Sequence, residues 1–264
     1  KGYRLPVRGT RFADRQPRAP KPIRWKTLCI AIVCIAMWIL FTGSSVTQGR
    51  LITSTIAAIL MLSSVVIIGY LGQLSLANLT FAGVAAYLSS RLAADGSVYG
   101  FSAFALEGPG LPSPIAMVLG VCIAVAVGIL IAIPAVRIRG LQLAVVTLAG
   151  AVAITEIVLG NESLIGKGAQ SNLSVPPPQW FGVDITVDPS ISRDRPTLII
   201  FCCIWLLLCI TAVVGIRNGV TGRKFLAVRS NERAASSLGV NVAGTKLLGF
   251  GIGSALAGVA GVLT

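Results

Sequence analysis

Four hydrogen-bonding side chains interrupt a long apolar stretch of the chain, at Gln73, Ser75, Asn78 and Thr80. Amide and hydroxyl groups such as these hold polar solutes by hydrogen bonding. Because hydrocarbon offers them no partner, they must face the interior of a helix bundle or a water-lined path. We predict that they line the path of a polar solute. The alternative is a tight cytoplasmic turn followed by a hydrogen bond between helices.

The sequence contains no comparable set of residues for covalent catalysis or for metal binding. The chain contains no histidine, so no Ser/His/Asp set can be assembled from it, and no Walker A phosphate-binding loop occurs. The six cysteines all lie in apolar segments and form no CxxC pair, which is typical of small apolar residues and not of ligands. We therefore predict that this chain is not an enzyme and binds no metal or cofactor.

A charged segment, residues 223–248, stands between two apolar ones. At 100° per residue its side chains divide between two faces of a helix. One face carries Arg229, Glu232, Arg233 and Ser236, and the other carries Ala227, Val228, Asn231, Ala234, Ala235 and Leu238. Gly239 follows, where a glycine commonly ends a helix. We predict one amphipathic helix that offers its small-residue face to a partner; the alternative is a helix lying on lipid headgroups.

Composition indicates the elements that position these residues. The chain is 55% hydrophobic and 12% charged, with a mean hydropathy of +0.85. About 20 helical residues cross the hydrocarbon core of a bilayer, and apolar segments of that length recur. They span residues 27–47, 51–70, 74–92, 114–136, 140–160, 196–216 and 245–264. The sequence predicts an all-α polytopic membrane protein, a bundle of about seven transmembrane helices.

The net charge of +13 is distributed as membrane topology requires. Residues 1–26 contain nine Lys or Arg, and residues 217–246 contain six, whereas the alternate loops are nearly neutral or acidic. By the positive-inside rule, the N-terminus and residues 217–244 are cytoplasmic, and 93–112 and 161–195 lie outside. This pattern favours a membrane partner over nucleic acid. We expect a basic tail or linker over 1–26 and one permease domain over 27–264.

Two further features concern contacts. Small residues recur every fourth position in the last segment, at Gly249, Gly253, Ala257 and Gly261, a pattern typical of close helix packing. The loop 161–195 contains three prolines before Trp180 and Phe181, which favours contact with a partner; the alternative is anchoring at the membrane interface.

The missing initial Met and the stop within the last segment lead us to expect a piece of a longer polypeptide.

Together these segments resemble one family. They read GYLGQLSLANLTFAGVAAYLS, RIRGLQLAVVTLA, LSVPPPQWFGVD and RKFLAVRSNERAASSLGVNVAGTKLLGFGIGSALAGVAG. They are similar to the permeases of branched-chain amino acid ABC transporters, the M-type subunit above all, from about residue 50 to 264. The chain departs from the family pattern at Ala77-Asn78, where a Gly-His pair is common, and at Gly166 to Ala169, where a Gly-Gly-rich motif is common.

The resemblance implies partners and roles. Glu232-x-Ala234-Ala235-x-x-x-Gly239 is similar to the "EAA" loop, so Arg229, Asn231, Glu232, Arg233, Ala234, Ala235 and Gly239 would dock an ATPase. It implies a second permease subunit, ATPase subunits that carry the ATP, an extracytoplasmic solute-binding protein, and import of branched-chain or related amino acids across the inner membrane. A urea or short-chain amide permease of the same family, and a stand-alone secondary carrier or channel, are the alternatives.

Overall fold

A computed structural model describes residues 30, 33, 45–93, 95–99, 106–109, 111–136, 141–159, 179–180, 183–184 and 196–264. Within these ranges the chain is helical apart from turns, one extended segment and two small hairpins. The elements in chain order are α1 (Ser45–Ser64, continuing as a π-helix over Val65–Leu71), α2 (Asn78–Ala93), β1 (Asp95–Tyr99), β2 (Leu106–Pro109), α3 (Ser113–Ala135), α4 (Leu141–Ile154, continuing as a π-helix over Thr155–Leu159), β3 (Gln179–Trp180), β4 (Val183–Asp184), α5 (Pro196–Asn218), α6 (Val220–Ser230), α7 (Glu232–Ser237) and α8 (Val242–Val262).

The long helices confirm a multi-pass all-α membrane architecture. In the described ranges, four are long and apolar enough to cross a bilayer, and a fifth apolar helix, Gln142–Ile157, is shorter. The four span Val46–Leu71, Ser113–Pro134, Thr197–Asn218 and Val242–Val262. Together with α2, these helices correspond to the second to seventh predicted segments. The basic tail 1–26 and nearly all of the first predicted segment lie outside the described residues.

The boundary predicted between the first two segments, after residue 47 and before residue 51, is wrong. Residues from Ser45 onward are helical, so Arg50 lies in the second turn of α1 on an exposed face. The hydroxyls of Thr53 and Ser54 donate to the carbonyls of Gly49 and Arg50, at 3.2 and 2.7 Å. Because these serines and threonines bond back to their own helix, polar composition did not mark a helix end here.

Helix α8 is the centre of the bundle and packs against α1, α2 and α3. Its small residues lie at the crossings: a Cβ built on Gly249 would stand 2.8 Å from Leu71, one on Gly253 would overlap Ile67, and one on Gly261 would overlap the Ala82 carbonyl. Ala257 is fully buried and belongs to a cluster with Ala77, Phe81, Ile131 and Ala151. The spacing of four residues therefore lets neighbouring backbones approach closely.

The predicted apolar segment that contains α2 is not helical along its whole length. The π-helix ends at Gly72, whose φ of 73° lies in the left-handed region that glycine tolerates best. Residues 73–77 are not helical, and α2 begins at Asn78, four residues later than the predicted segment. Burial alternates along this stretch: Gln73, Ser75 and Ala77 point inward, whereas Leu74 and Leu76 are exposed. An alternating pattern is typical of extended chain.

The two hairpins lie within the loops predicted to be external, and the sequence pattern does not indicate them. Strand β1 pairs antiparallel with β2, and Gln179 and Trp180 of β3 pair with Asp184 and Val183 of β4. The hairpin β3–β4 contains Trp180, but the three prolines, Phe181 and the Gly166 to Ala169 motif lie outside the described residues. The predicted partner contact of this loop stays a prediction.

Candidate solute path and docking loop

Three polar residues near the start of α2, Gln73, Ser75 and Asn78, are buried, and we call them the polar group. Asn78 is 7% exposed, and its Nδ2 donates a 2.8 Å hydrogen bond to the hydroxyl of Ser64 on α1. The hydroxyl of Ser75 accepts from the backbone of Ala77 at 3.4 Å. Thr80 is only half-buried and lies in the first turn of α2. The nitrogen of Asn78 therefore forms a hydrogen bond between helices, as expected if these residues form a turn and a helix contact and do not line a solute path.

Two buried amide oxygens in this group lack a donor among the described residues. They are Oε1 of Gln73 and Oδ1 of Asn78. An acceptor left unpaired in a dry interior costs about 1–3 kcal/mol, so such atoms are normally satisfied by water or by a ligand. The arrangement offers two acceptors to a solute that donates hydrogen bonds, such as an ammonium or an amide NH₂.

Helix α4 completes the support of the extended segment. The hydroxyl of Thr147, which is fully buried, accepts from the backbone of Leu76 at 3.4 Å and donates to the carbonyl of Ala144 at 3.0 Å. One side-chain oxygen thus joins the non-helical backbone to a neighbouring helix. Non-helical chain at membrane depth requires such partners, because lipid supplies none.

We predict that Asn78→Leu lowers the kcat/KM of solute uptake about tenfold, because one lost hydrogen bond of about 1.4 kcal/mol to the solute corresponds to that factor. Uptake is measured in two sets of vesicles, one with the variant and one with the unchanged protein, which contain equal amounts of permease. Ser64→Ala is the matched control, since it removes the interhelical hydrogen bond and leaves Oδ1 of Asn78 in place. An equal loss in both variants would assign Asn78 to packing alone.

The charged loop is two helices, so the prediction of one continuous helix is wrong. Helix α6 ends at Ser230, and α7 begins at Glu232. Between them Asn231 is extended, with φ −161° and ψ 111°, and its Oδ1 accepts from the backbone N–H of Arg233 at 3.0 Å and of Ala234 at 3.2 Å. Asn competes well as an N-cap and poorly as a helix-interior residue, which explains the break.

The loop also faces differently from the prediction. Phe225, Val228 and Ala235 are buried within this chain, so Ala235 does not lie on an open surface. Ala234 is exposed, and so is Leu238, at 82%. We call the exposed residues Arg233, Ala234, Ser237 and Leu238 the docking surface. Gly239 ends this stretch with φ 80° and nothing within 4 Å of its Cβ direction.

Arg229 joins the loop to the turn before the polar group. Its Nη1 donates a hydrogen bond to the carbonyl of Gly69, and its aliphatic stem covers Gly72. A Cβ built on Gly72 would stand 2.5 Å from Cγ of Arg229. The left-handed turn at Gly72 and the loop are thus packed directly on each other.

Glu232 makes an ion pair that is not apparent from the sequence. Its Oε1 lies 2.8 Å from Nζ of Lys246 on α8, and the Lys246 side chain is 1% exposed whereas that of Glu232 is 23% exposed. In the sequence, Lys246 is one of the six basic residues of 217–246 and is not marked out from the others. The signal that could have found it is its position at the start of an apolar segment, where a lysine needs a counterion.

One cavity of about 460 Å³ joins the two regions. Its walls come from the end of the π-helix and the start of the extended segment, from α4, and from the loop. The lining residues are Leu71, Gly72, Gln73, Leu74, Leu143, Val228, Arg229, Ser230, Asn231, Glu232 and Arg233. Gln73 of the polar group therefore reaches the same space as the charged residues of the loop.

Comparison with known proteins gives one family and two relatives. The family described as branched-chain amino acid transport system, permease component, matches residues 46–264. The high-affinity branched-chain amino acid transport system permease protein LivM of Escherichia coli K12 is 28% identical over 257 residues, which cover 91% of this chain and 57% of the relative. LivM of Salmonella typhimurium LT2 is 31% identical over 157 residues, covering 53% and 37%.

The chain thus spans about half the length of these curated relatives. No solved structure matches it significantly.

Proposed function

We propose that this chain, which belongs to the branched-chain amino acid transport system permease family, forms half of the membrane path of an ABC importer for branched-chain or related amino acids. A second, similar permease would complete the path. An extracytoplasmic solute-binding protein would deliver the solute, and separate ATPase subunits would bind and hydrolyse ATP at the cytoplasmic face of the inner membrane.

The single observation that carries this proposal is the shared cavity. Gln73 of the polar group and residues Arg229 to Arg233 of the charged loop line one space, so a movement of the loop alters the surroundings of Gln73. When an ATPase at the cytoplasmic face drives a transporter, the segment that the ATPase moves must be connected to the segment that binds the solute. The exposed docking surface, with Ala234 at its centre, supports the same assignment of the loop.

The two unpaired amide oxygens also suit another solute class. Acceptors in this position would bind the NH₂ groups of urea or a short-chain amide as well as the ammonium of an amino acid. This observation keeps an amide permease of the same family as the second candidate function.

The test is reconstitution of the full-length permease in proteoliposomes with its second permease, ATPase and solute-binding protein. We expect leucine, isoleucine or valine to stimulate ATP hydrolysis and to accumulate in an ATP-dependent manner. Stimulation by urea or acetamide alone would replace the amino acid assignment. Uptake that proceeds without ATP or the ATPase subunit would overturn the importer and favour the stand-alone carrier or channel.

Orientation can be measured by cysteine labelling. We predict that Ser236→Cys, in a cysteine-free background, is not labelled by an impermeant maleimide added to intact cells and is labelled after permeabilisation, because the basic loop is cytoplasmic. Ser97→Cys in the hairpin β1–β2 is the matched control and should label from outside. Labelling of position 236 in intact cells would reject the topology.

A further inference from the structure

The ion pair between Glu232 and Lys246 crosses a potential hinge. Helices α7 and α8 are separated by four residues, 238–241, which include the exposed Gly239 with its positive φ. The backbone N–H groups of Gly239 and Val240 donate 3.0 Å hydrogen bonds to the carbonyls of Ser236 and Ala235, so α7 can swing relative to α8 only beyond these bonds, next to Asn241. The 2.8 Å contact between the carboxylate of Glu232 and Nζ of Lys246 closes the gap between the two helices.

Burial makes this contact hard to break by motion. The Lys246 side chain is 1% exposed, so its ammonium has given up water and depends on Glu232 for compensation. Separating the two groups would leave a buried charge unpaired, which costs far more than the ion pair contributes when formed. Helix α7 and the start of α8 therefore resist relative movement.

The other tether of the loop is of a different kind. Arg229 is exposed, and its hydrogen bond to the Gly69 carbonyl can be exchanged for one to water. Exposed contacts of this type contribute little free energy. The Arg229 hydrogen bond therefore contributes less to holding the loop in place than the buried ion pair does.

Helix α8 carries a displacement from Lys246 to the turn that precedes the polar group. One turn beyond Lys246, Gly249 packs against Leu71, and Gly253 packs against Ile67 and accepts a 2.8 Å hydrogen bond from Ser63. Leu71 directly precedes Gly72 and Gln73. Small-residue crossings leave no slack between the helices, so a shift of α8 is passed to the end of α1.

We propose that Lys246 is a positioning residue that makes the docking helix α7 and the Gly-rich helix α8 move as one body during the transport cycle. This inference rests on the proposed function, because the movement is the one that an ATPase would impose. When the body moves, the buried Glu232–Lys246 contact persists and the end of α1 moves with α8.

The experiment uses the reconstituted complex and four permease variants: Glu232→Gln, Lys246→Met, the two together, and the exchange Glu232→Lys with Lys246→Glu. Two quantities are measured, the melting temperature of the permease and the solute-stimulated ATPase rate. Arg50→Met, an exposed cation on α1, is the control for loss of one positive charge. The unchanged complex is measured first: absence of any stimulation there refutes the proposed function and not the ion pair.

Each single variant should melt at a lower temperature and lose about tenfold in stimulated ATPase, a typical size for coupling between sites. The neutral double variant should regain its melting temperature, because no buried charge is left unpaired, and yet stay about tenfold uncoupled. The exchanged pair should recover most of the stimulation. Two results would overturn the proposal. One is full solute stimulation of the ATPase in the neutral double variant. The other is no stimulation in the exchanged pair although its melting temperature is normal.

If the exchanged pair does not fold, a covalent link decides. Cysteines at 232 and 246 remove both charges, so this variant should be uncoupled like the neutral double variant. Joining the two cysteines with a short bifunctional thiol reagent, in a cysteine-free background, should restore most of the stimulation. Stimulation that stays low after 232 and 246 are joined overturns the proposal.

Discussion

Gly261→Ala is expected to disrupt the helix bundle, with a loss of about 3 kcal/mol of stability, at the upper end for overpacking. A Cβ at this position would overlap the Ala82 carbonyl oxygen and lie 2.6 Å from its carbonyl carbon. These are backbone atoms of α2, so no side-chain rotation can relieve the overlap, and α2 must separate from α8. The measurement is the melting temperature and the folded yield of the detergent-solubilised protein.

Gly251→Ala on the same helix is the matched control. Its Cβ would lie 3.7 Å from the nearest atom, Cγ1 of Ile129, which is an ordinary contact. Alanine in place of a helical glycine should be neutral there or stabilising by about 0.5–1 kcal/mol. Equal melting temperatures for the two variants would show that α8 does not approach α2 as closely as the structure places it.

The second large effect is expected at the docking surface. Ala234→Trp should leave folding intact, because Ala234 is exposed, and should reduce copurification of the ATPase. If the ATPase closes on this surface, a clash of about 2 kcal/mol lowers affinity roughly thirtyfold. The measurement is the amount of ATPase that copurifies with equal quantities of folded permease. Ala58→Trp, on an exposed face of α1, is the control for adding a surface tryptophan.

Ala235→Trp should behave differently from Ala234→Trp. Ala235 is 2% exposed, so tryptophan there overpacks the interior and lowers the melting temperature. If Ala234→Trp binds the ATPase as well as the unchanged protein does, the docking assignment fails. The loop would then lie on lipid, and its binding to anionic vesicles would measure that alternative.

The general architecture was predictable because it depends on local properties of the chain. Apolar segments of sufficient length must be helical in a bilayer, and this alone predicts a multi-pass bundle. The predicted segments and the helices agree to within a few residues from α1 to α8, except at three points with polar side chains: the start of α1, residues 73–77 and Asn231. The Gly-x-x-x-Gly spacing of the last segment likewise predicts close packing, because helical periodicity sets which residues share a face.

Periodicity, however, cannot decide what covers a face. Helical spacing groups Ala234 with Ala235, but only the tertiary structure shows that Ala235 packs inside this chain and that Ala234 remains exposed. The break at Asn231 depends on competition between a side-chain oxygen and the helix for the same backbone N–H groups. That competition is finely balanced, and a pattern of apolar residues does not report it.

The partner of a buried charge is the clearest case of what only the tertiary structure decides. Glu232 and Lys246 are separated by the rest of α7, a four-residue linker and the start of α8, and the sequence alone does not show whether either side chain faces water. The fold turns α7 back on the first turns of α8 and brings the two groups to 2.8 Å in a site that excludes water from the lysine. Chain order specifies which residues exist near this hinge. The ion pair exists because packing removes the water that would otherwise have solvated Lys246.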